Sequence, residues 1–256
     1  MSKELATKQE QAVSTNVMSD WGEQQMFGQD IVIPKILPMQ STSDLVQDGK
    51  AAMGEFRDSV SGVKLGSISE PVDIIPFHVQ KFWDIHTQND DGNFQWSRTE
   101  PLIENPAIPG FNDNLPWEDK EDGEPIKRVR RMNFFVLLPS EVATGAAIPY
   151  ILSFKSTSFK EGKKLYTQMY LRNRKSNLPP PAYTFKLSGV KEKNDKGSYI
   201  VLSLELGRAS TQAEVAECLT WFKTIQKGGV KVDDSDVQGK VDAATMQADD
   251  TGTGTF

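Results

Sequence analysis

The chain has 256 residues, 38% of them hydrophobic and 25% charged, and a formal net charge of −6 at pH 7. That length allows one large domain or two small ones, no run of about 18 apolar residues offers a membrane span, and the first 16 residues lack the apolar centre of a secretion signal. A single cysteine, Cys218, excludes an internal disulfide and fits a reducing cytoplasm.

Residues 1–28 are rich in Gln, Ser and Glu and are expected to form a flexible arm. Residues 29–231 are expected to form the body. Its first stretch, IVIPKILPMQ (31–40), reads as extended chain that Pro34 and Pro38 confine to a sheet edge or a docking segment. GEFRDS (54–59) and VKLG (63–66) read as short strands set off by glycines. PVDIIPFHVQKFW (71–83) reads as a strand with a bulge or an edge position at Pro76.

An acidic insertion, residues 84–125, comes next. Between 84 and 124 there are 11 Asp and Glu against Arg98 and Lys120. From residue 89 its Pro, Gly and Asn content predicts a long surface loop with a hairpin near Phe94 to Arg98. It is either a solvated insertion or an acidic flap that competes with phosphate for a basic face.

Beyond it the character of the chain reverses. Residues 127–196 hold 15 Lys and Arg against 4 Asp and Glu, a surplus of 11 positive charges inside an acidic protein. IKRVRRMNFFVLLP (126–139) predicts a long strand with a basic, wet end and an apolar, buried end, and AIPYILSFKS (147–156) a second strand. Residues 158–177 pair Leu165 with Met169 and Tyr166 with Tyr170 at a spacing of four, which predicts a helix with an apolar stripe beside a tyrosine stripe. LPPPA (178–182) then predicts an extended connector. AYTFKLSGVKEK (182–193) and GSYIVLSLELGR (197–208) predict a hairpin around Asn194 and Gly197. Thr211 and Glu214 form a capping box that opens a helix with a Val215, Leu219, Phe222 and Ile225 stripe, closed by Gly228 and Gly229. Residues 232–256, with six Asp against Lys240 and few large apolar groups, are expected to be a disordered acidic tail.

Cations that track phosphates, interleaved with flat rings that stack on bases, suit sequence-independent binding of single-stranded nucleic acid. Screening over about 8 Å at physiological salt lets such a face act independently of the net charge. The residues assigned to phosphate are Lys127, Arg128, Arg130, Arg131, Lys160, Lys163, Lys164, Arg172, Arg174 and Lys175, and those assigned to stacking are Phe159, Tyr166 and Tyr170. Trp83, Trp96 and Trp117 rank lower because their acidic neighbours repel phosphate. His78 and His86, eight apart and without a nearby cysteine, make a weak zinc pattern. Phosphate-loop, dinucleotide and G-x-S-x-G motifs are absent, so the expectation is a protein that is no enzyme and needs no metal or cofactor.

A mostly β body with a basic, aromatic face and an acidic tail ending in an aromatic resembles single-stranded DNA-binding proteins, particularly those encoded by lytic bacteriophages. GEFRDS, PVDIIPF and GSYIVLSLELGR resemble segments of small phage proteins of this kind. The resemblance implies an OB-like antiparallel barrel or sheet with one or two packed helices. It also implies action in phage replication, recombination or transcription in the host cytoplasm, and a tail whose Asp249, Asp250 and Phe256 recruit partner proteins and compete with DNA. Here TGTGT separates Asp250 from Phe256, where the family sets its acids against the aromatic. A homo-oligomer is compatible with this. The rival readings are a virion-associated assembly protein that does not bind nucleic acid, an accessory factor dominated by a protein partner, and a magnesium-dependent nuclease using the Asp-rich loop.

Overall fold

The computed structural model describes residues 32–194 and 197–227 and the backbone of 231–232. The expected N-terminal arm, the acidic tail and the glycines after the last helix lie outside the described residues. In chain order the elements are β1 (Val32–Ile33), β2 (Ile36–Pro38), α1 (Asp44–Gln47), β3 (Glu55–Asp58), β4 (Lys64–Ser67), β5 (Val72–Gln88), β6 (Phe94–Pro101), β7 (Glu118–Glu121) and β8 (Glu124–Leu137). They continue with α2 (Pro139–Thr144), β9 (Tyr150–Lys155), α3 (Phe159–Tyr166), a π-helical stretch (Thr167–Arg172), α4 (Asn173–Lys175), β10 (Tyr183–Asn194), β11 (Gly197–Ala209), α5 (Gln212–Gln226) and β12 (Lys231–Val232).

Two long antiparallel strands, β5 and β8, form the spine, paired from Ile75 with Leu137 to Thr87 with Ile126. At about 3.3 Å per residue the 17 residues of β5 reach some 55 Å, further than one core can cover. The sheet therefore changes neighbours along its length. Near the start of β5 the order is β11, β10, β5, β8, β9, whereas at its far end β6 flanks β5 and β7 flanks β8. The strand order is open, with β11 and β7 terminal, so the antiparallel sheet forms and no pairing among the described residues closes it into a barrel. β2, β3 and β4 make a separate small sheet, and β1 pairs with β12 in parallel.

Alternation on the spine serves two cores. Val72 and Ile74 on β5, Phe134 and Val136 on β8, and Leu152 and Phe154 on β9 face the larger one. Ile75, Phe77, Phe135, Leu137 and Ile151 face the other side, where α5 covers them. The register shift between Pro76 and His78 is the predicted bulge, and after it Val79 returns to the larger core. The wet and buried ends expected of β8 are both present: exposed and half-buried residues dominate its start, and everything from Arg131 to Leu137 is buried.

Helix α5 opens with the predicted capping box. Glu214 N–H donates to Thr211 Oγ1 at 3.2 Å and Thr211 N–H donates to Glu214 Oε2 at 2.7 Å. Its buried stripe differs from the expected one. Leu219 is 50% exposed, and Cys218, Trp221, Phe222 and Ile225 meet the sheet instead. The helix docks about one residue's rotation from the most apolar face its sequence offers, with the Phe222 ring edge-on to His78 at 5.3 Å and His78 in turn 5.5 Å from Phe135. His78 is thereby a packing residue, and burial lowers its pKa.

The acidic insertion is more ordered than a surface loop. Asp84 through Gln88 extend β5, residues 89–93 turn, and β6 returns along β5. β7 and β8 form a second hairpin through Asp122 (φ 52) and Gly123 (φ 90), the positive-φ pair that a two-residue hairpin turn requires. Between the two hairpins, Asn112 fixes the connection. Its backbone carbonyl accepts from Trp83 Nε1 at 3.1 Å, and its side chain bonds Ile103 N and Pro101 O. Trp83, Ile85 and Ile126 form a small third core there with Leu102 and Leu115.

Candidate nucleic-acid interface

The residues assigned to phosphate separate into two groups with different environments. The first lies on β8, where the acidic insertion folds back on it. Lys127 Nζ is 2.9 Å from Glu118, Arg128 is 2.8 Å from Asp119, and Arg130 is 2.9 Å from Asp113. The pairing follows from topology: β7 is the hairpin partner of the start of β8, so Glu118 stands directly across from Lys127. Arg98, on β6, bridges to Glu100 and to Glu121 of β7 at 2.7 Å each, which ties the two hairpins together.

Arg131 corrects the expectation outright. It is 2% exposed, with Nη2 3.1 Å from Asp84 Oδ1 and 3.2 Å from Thr99 Oγ1. Thr99 Oγ1 in turn donates to Asp84 at 2.9 Å. Arg131 is a buried structural cation, and Asp84, assigned to the insertion, is its core partner. Lys127, Arg128 and Arg130 each already face a carboxylate, which a phosphate reaching them has to displace. The insertion lies across β8 with its carboxylates on these cations.

The second group lies on the helical segment from Phe159 to Lys175, inserted between β9 and β10. Leu165 and Met169 are buried in the larger core, and Phe159, Tyr166 and Tyr170 pack half-buried at its margin. The segment lies close on β9 because position 162 is glycine: a Cβ there would stand 2.8 Å from Phe154 Cβ. Lys160, Lys163, Lys164, Arg172, Arg174 and Lys175 are all exposed, against the single acid Glu161. Lys164 bonds Glu161 at 2.6 Å and Arg172 bonds Gln168 at 3.2 Å. Lys163 lies 5.2 Å from the Phe159 ring. Lys160, Arg174 and Lys175 have no carboxylate partner among the described residues.

The three candidate stacking rings are not equivalent. Tyr166 and Tyr170 lie 4.9 Å apart at 34°, and Lys81 Nζ stands 3.7 Å over the Tyr166 ring while bonding Glu104 at 2.6 Å. Tyr166 is thus engaged by both neighbours, and Phe159 mostly serves the core. Tyr170, half-buried like the other two, lines a pocket at the end of the helix. Burial pushes its phenol up to about 12, the nearby Tyr166 adding to the effect, so it stays neutral at physiological pH. It lines a cavity of about 410 Å³ with Met169 and Arg174 of the helix, Asn177, Leu178 and the first two prolines of the connector. The signal for this cavity in the sequence is the triple proline that follows a tyrosine and arginine four apart.

Fold and site together define a mostly β, α+β protein that neutralises one basic strand internally and presents a second basic surface on a helix. The chain belongs to the family of Pam3 phage gp34-like proteins, whose family model matches residues 4–231, so it is a bacteriophage-type protein. No curated protein and no solved structure matches it. Asp249, Asp250 and Phe256 lie beyond that match and outside the described residues. No helix among the described residues is long and apolar enough to cross a membrane.

Proposed function

We propose that this phage protein binds single-stranded DNA without sequence preference, in replication, recombination or transcription, through the segment from Phe159 to Lys175. One observation carries the reading: six exposed cations against one acid share a short helical segment with Tyr170, which opens onto a cavity. Cations set the strand's position through its phosphates, and a ring adds about 1 to 3 kcal/mol per stacked base whatever the base is. The basic end of β8 plays a lesser part because its charges are already met by carboxylates. Asp249, Asp250 and Phe256 are assigned to partner recruitment and to competition with DNA on the strength of the sequence resemblance.

Titration of a labelled oligo-dT at several salt concentrations tests the reading. Strand binding requires log affinity to fall linearly with log salt, by about 0.7 per phosphate contacted. Failure of the full chain to bind the oligonucleotide at low salt would overturn it in favour of an assembly role without nucleic acid.

A further inference from the structure

The cavity beside Tyr170 is built rather than incidental. Asn173, 3% exposed, donates from Nδ2 to the carbonyls of Pro179 and Pro180 at 3.2 Å each, which holds the connector against the helix end. Asn177, at φ 57, closes the helix in the left-handed conformation, and Leu178 N–H returns to Asn173 O at 2.8 Å. Pro179 and Pro180, so held, line with Tyr170 and Met169 an open pocket of about 410 Å³, within the usual size of a small-ligand pocket. Two polar side chains on its lining, Arg174 and Asn177, are exposed and make no side-chain hydrogen bond or ion pair to another described residue.

We propose that this cavity takes one unstacked nucleobase from the bound strand, an inference that rests on the strand-binding reading and gives it a defined base site. The Tyr170 ring on its lining can stack on any base by its face, and the apolar prolines and Met169 complete the pocket. The Asn177 carboxamide carries both a donor and an acceptor, so it can meet the edge of either a purine or a pyrimidine. Arg174 stands where the phosphate next to that base would lie, and its planar fork can take two phosphate oxygens at once. A strand held this way is anchored at one nucleotide, while the other helix cations follow its backbone.

The test uses the full chain with a fluorescent 20-residue oligo-dT, and dTMP as the single-nucleotide probe. Tyr170→Leu is expected to weaken oligonucleotide binding by about 5- to 150-fold with the salt slope unchanged. Asn177→Gly, which keeps the left-handed backbone and so leaves the fold intact, is expected to weaken it by about 2- to 10-fold. dTMP is expected to shift the backbone amide resonances of Asn177 and Leu178. Oligonucleotide binding that is the same in the wild type and both variants, or dTMP shifts confined to other residues, overturns the cavity proposal and leaves strand binding standing. A wild type that does not bind the oligonucleotide overturns strand binding itself, and the cavity proposal with it.

Discussion

The division of the cations into two groups can be tested by removing charge from each in a way that changes the net charge predictably. On β8, Arg128→Gln with Asp119→Asn, or Arg130→Gln with Asp113→Asn, deletes an ion pair as a unit and leaves the local charge as it was. The Arg130 pair, with both side chains about a third exposed, contributes about 0 to 1 kcal/mol, whereas Arg128, 11% exposed and also bonded to Pro116 O, costs more to remove. On the helix, Arg174→Gln with Lys175→Gln removes two positive charges that no described carboxylate offsets. If all six helix cations meet phosphates, the slope of log affinity against log salt is about −4, a roughly 300-fold loss of affinity between 50 and 200 mM salt. With two of them gone the slope falls to about −3 and the loss to roughly 50-fold over the same range. The β8 pair deletions should leave the slope within about 0.3 of the wild type, since neither cation releases counterions when DNA binds. Fluorescence anisotropy of a labelled oligo-dT at four or five salt concentrations yields these slopes directly. A β8 pair deletion that flattens the slope as much as the helix variant would refute the idea that the insertion neutralises β8.

Three further outcomes concern the scaffold. Glu214, 4% exposed, accepts from both Arg208 guanidinium nitrogens and from Thr211 N–H, and the Arg208 hydrogen bonds chiefly hold its carboxyl down at about 2. Because the folded value lies below the ordinary 4.5, its stabilisation is complete above about pH 4.5 and fades as the pH falls towards 2. Glu214→Gln should remove that acid-dependent part, and Glu214→Ala should cost about 2 kcal/mol in denaturant unfolding at pH 7; equal stability of all three forms at pH 7 would contradict this. Gly162→Ala gains up to about 1 kcal/mol of helix propensity but drives a methyl against Phe154, itself fully buried, so thermal unfolding should show a net loss of up to about 2 kcal/mol rather than a gain. Asp84→Ala leaves Arg131 buried without its carboxylate and should cost about 3 to 5 kcal/mol, whereas a loss below about 1 would mean that water reaches the site.

Periodicity and turn chemistry determined much of this molecule before any coordinates. Alternation marked β5, Pro76 its bulge, a basic start and an apolar end β8, the four-residue spacing of Leu165 with Met169 and Tyr166 with Tyr170 the site helix, and Thr211 with Glu214 the start of α5. These signals are local: each depends on residues within a turn or two of one another, so the sequence carries them unaided. The Asp122-Gly123 dipeptide is an equally local mark of the β7–β8 hairpin, set between charged rather than apolar flanks. Charge partnership is another matter. Lys127, Arg128, Arg130 and Arg131 read as one basic patch with the helix cations because they are close in the same stretch of chain, yet their nearest charges are acids brought back by the insertion. A side chain's neighbours across a sheet come from strand register, and register is fixed only when distant segments pair. For the same reason the pocket that Tyr170 lines with the prolines exists only once the connector is folded against the helix that precedes it.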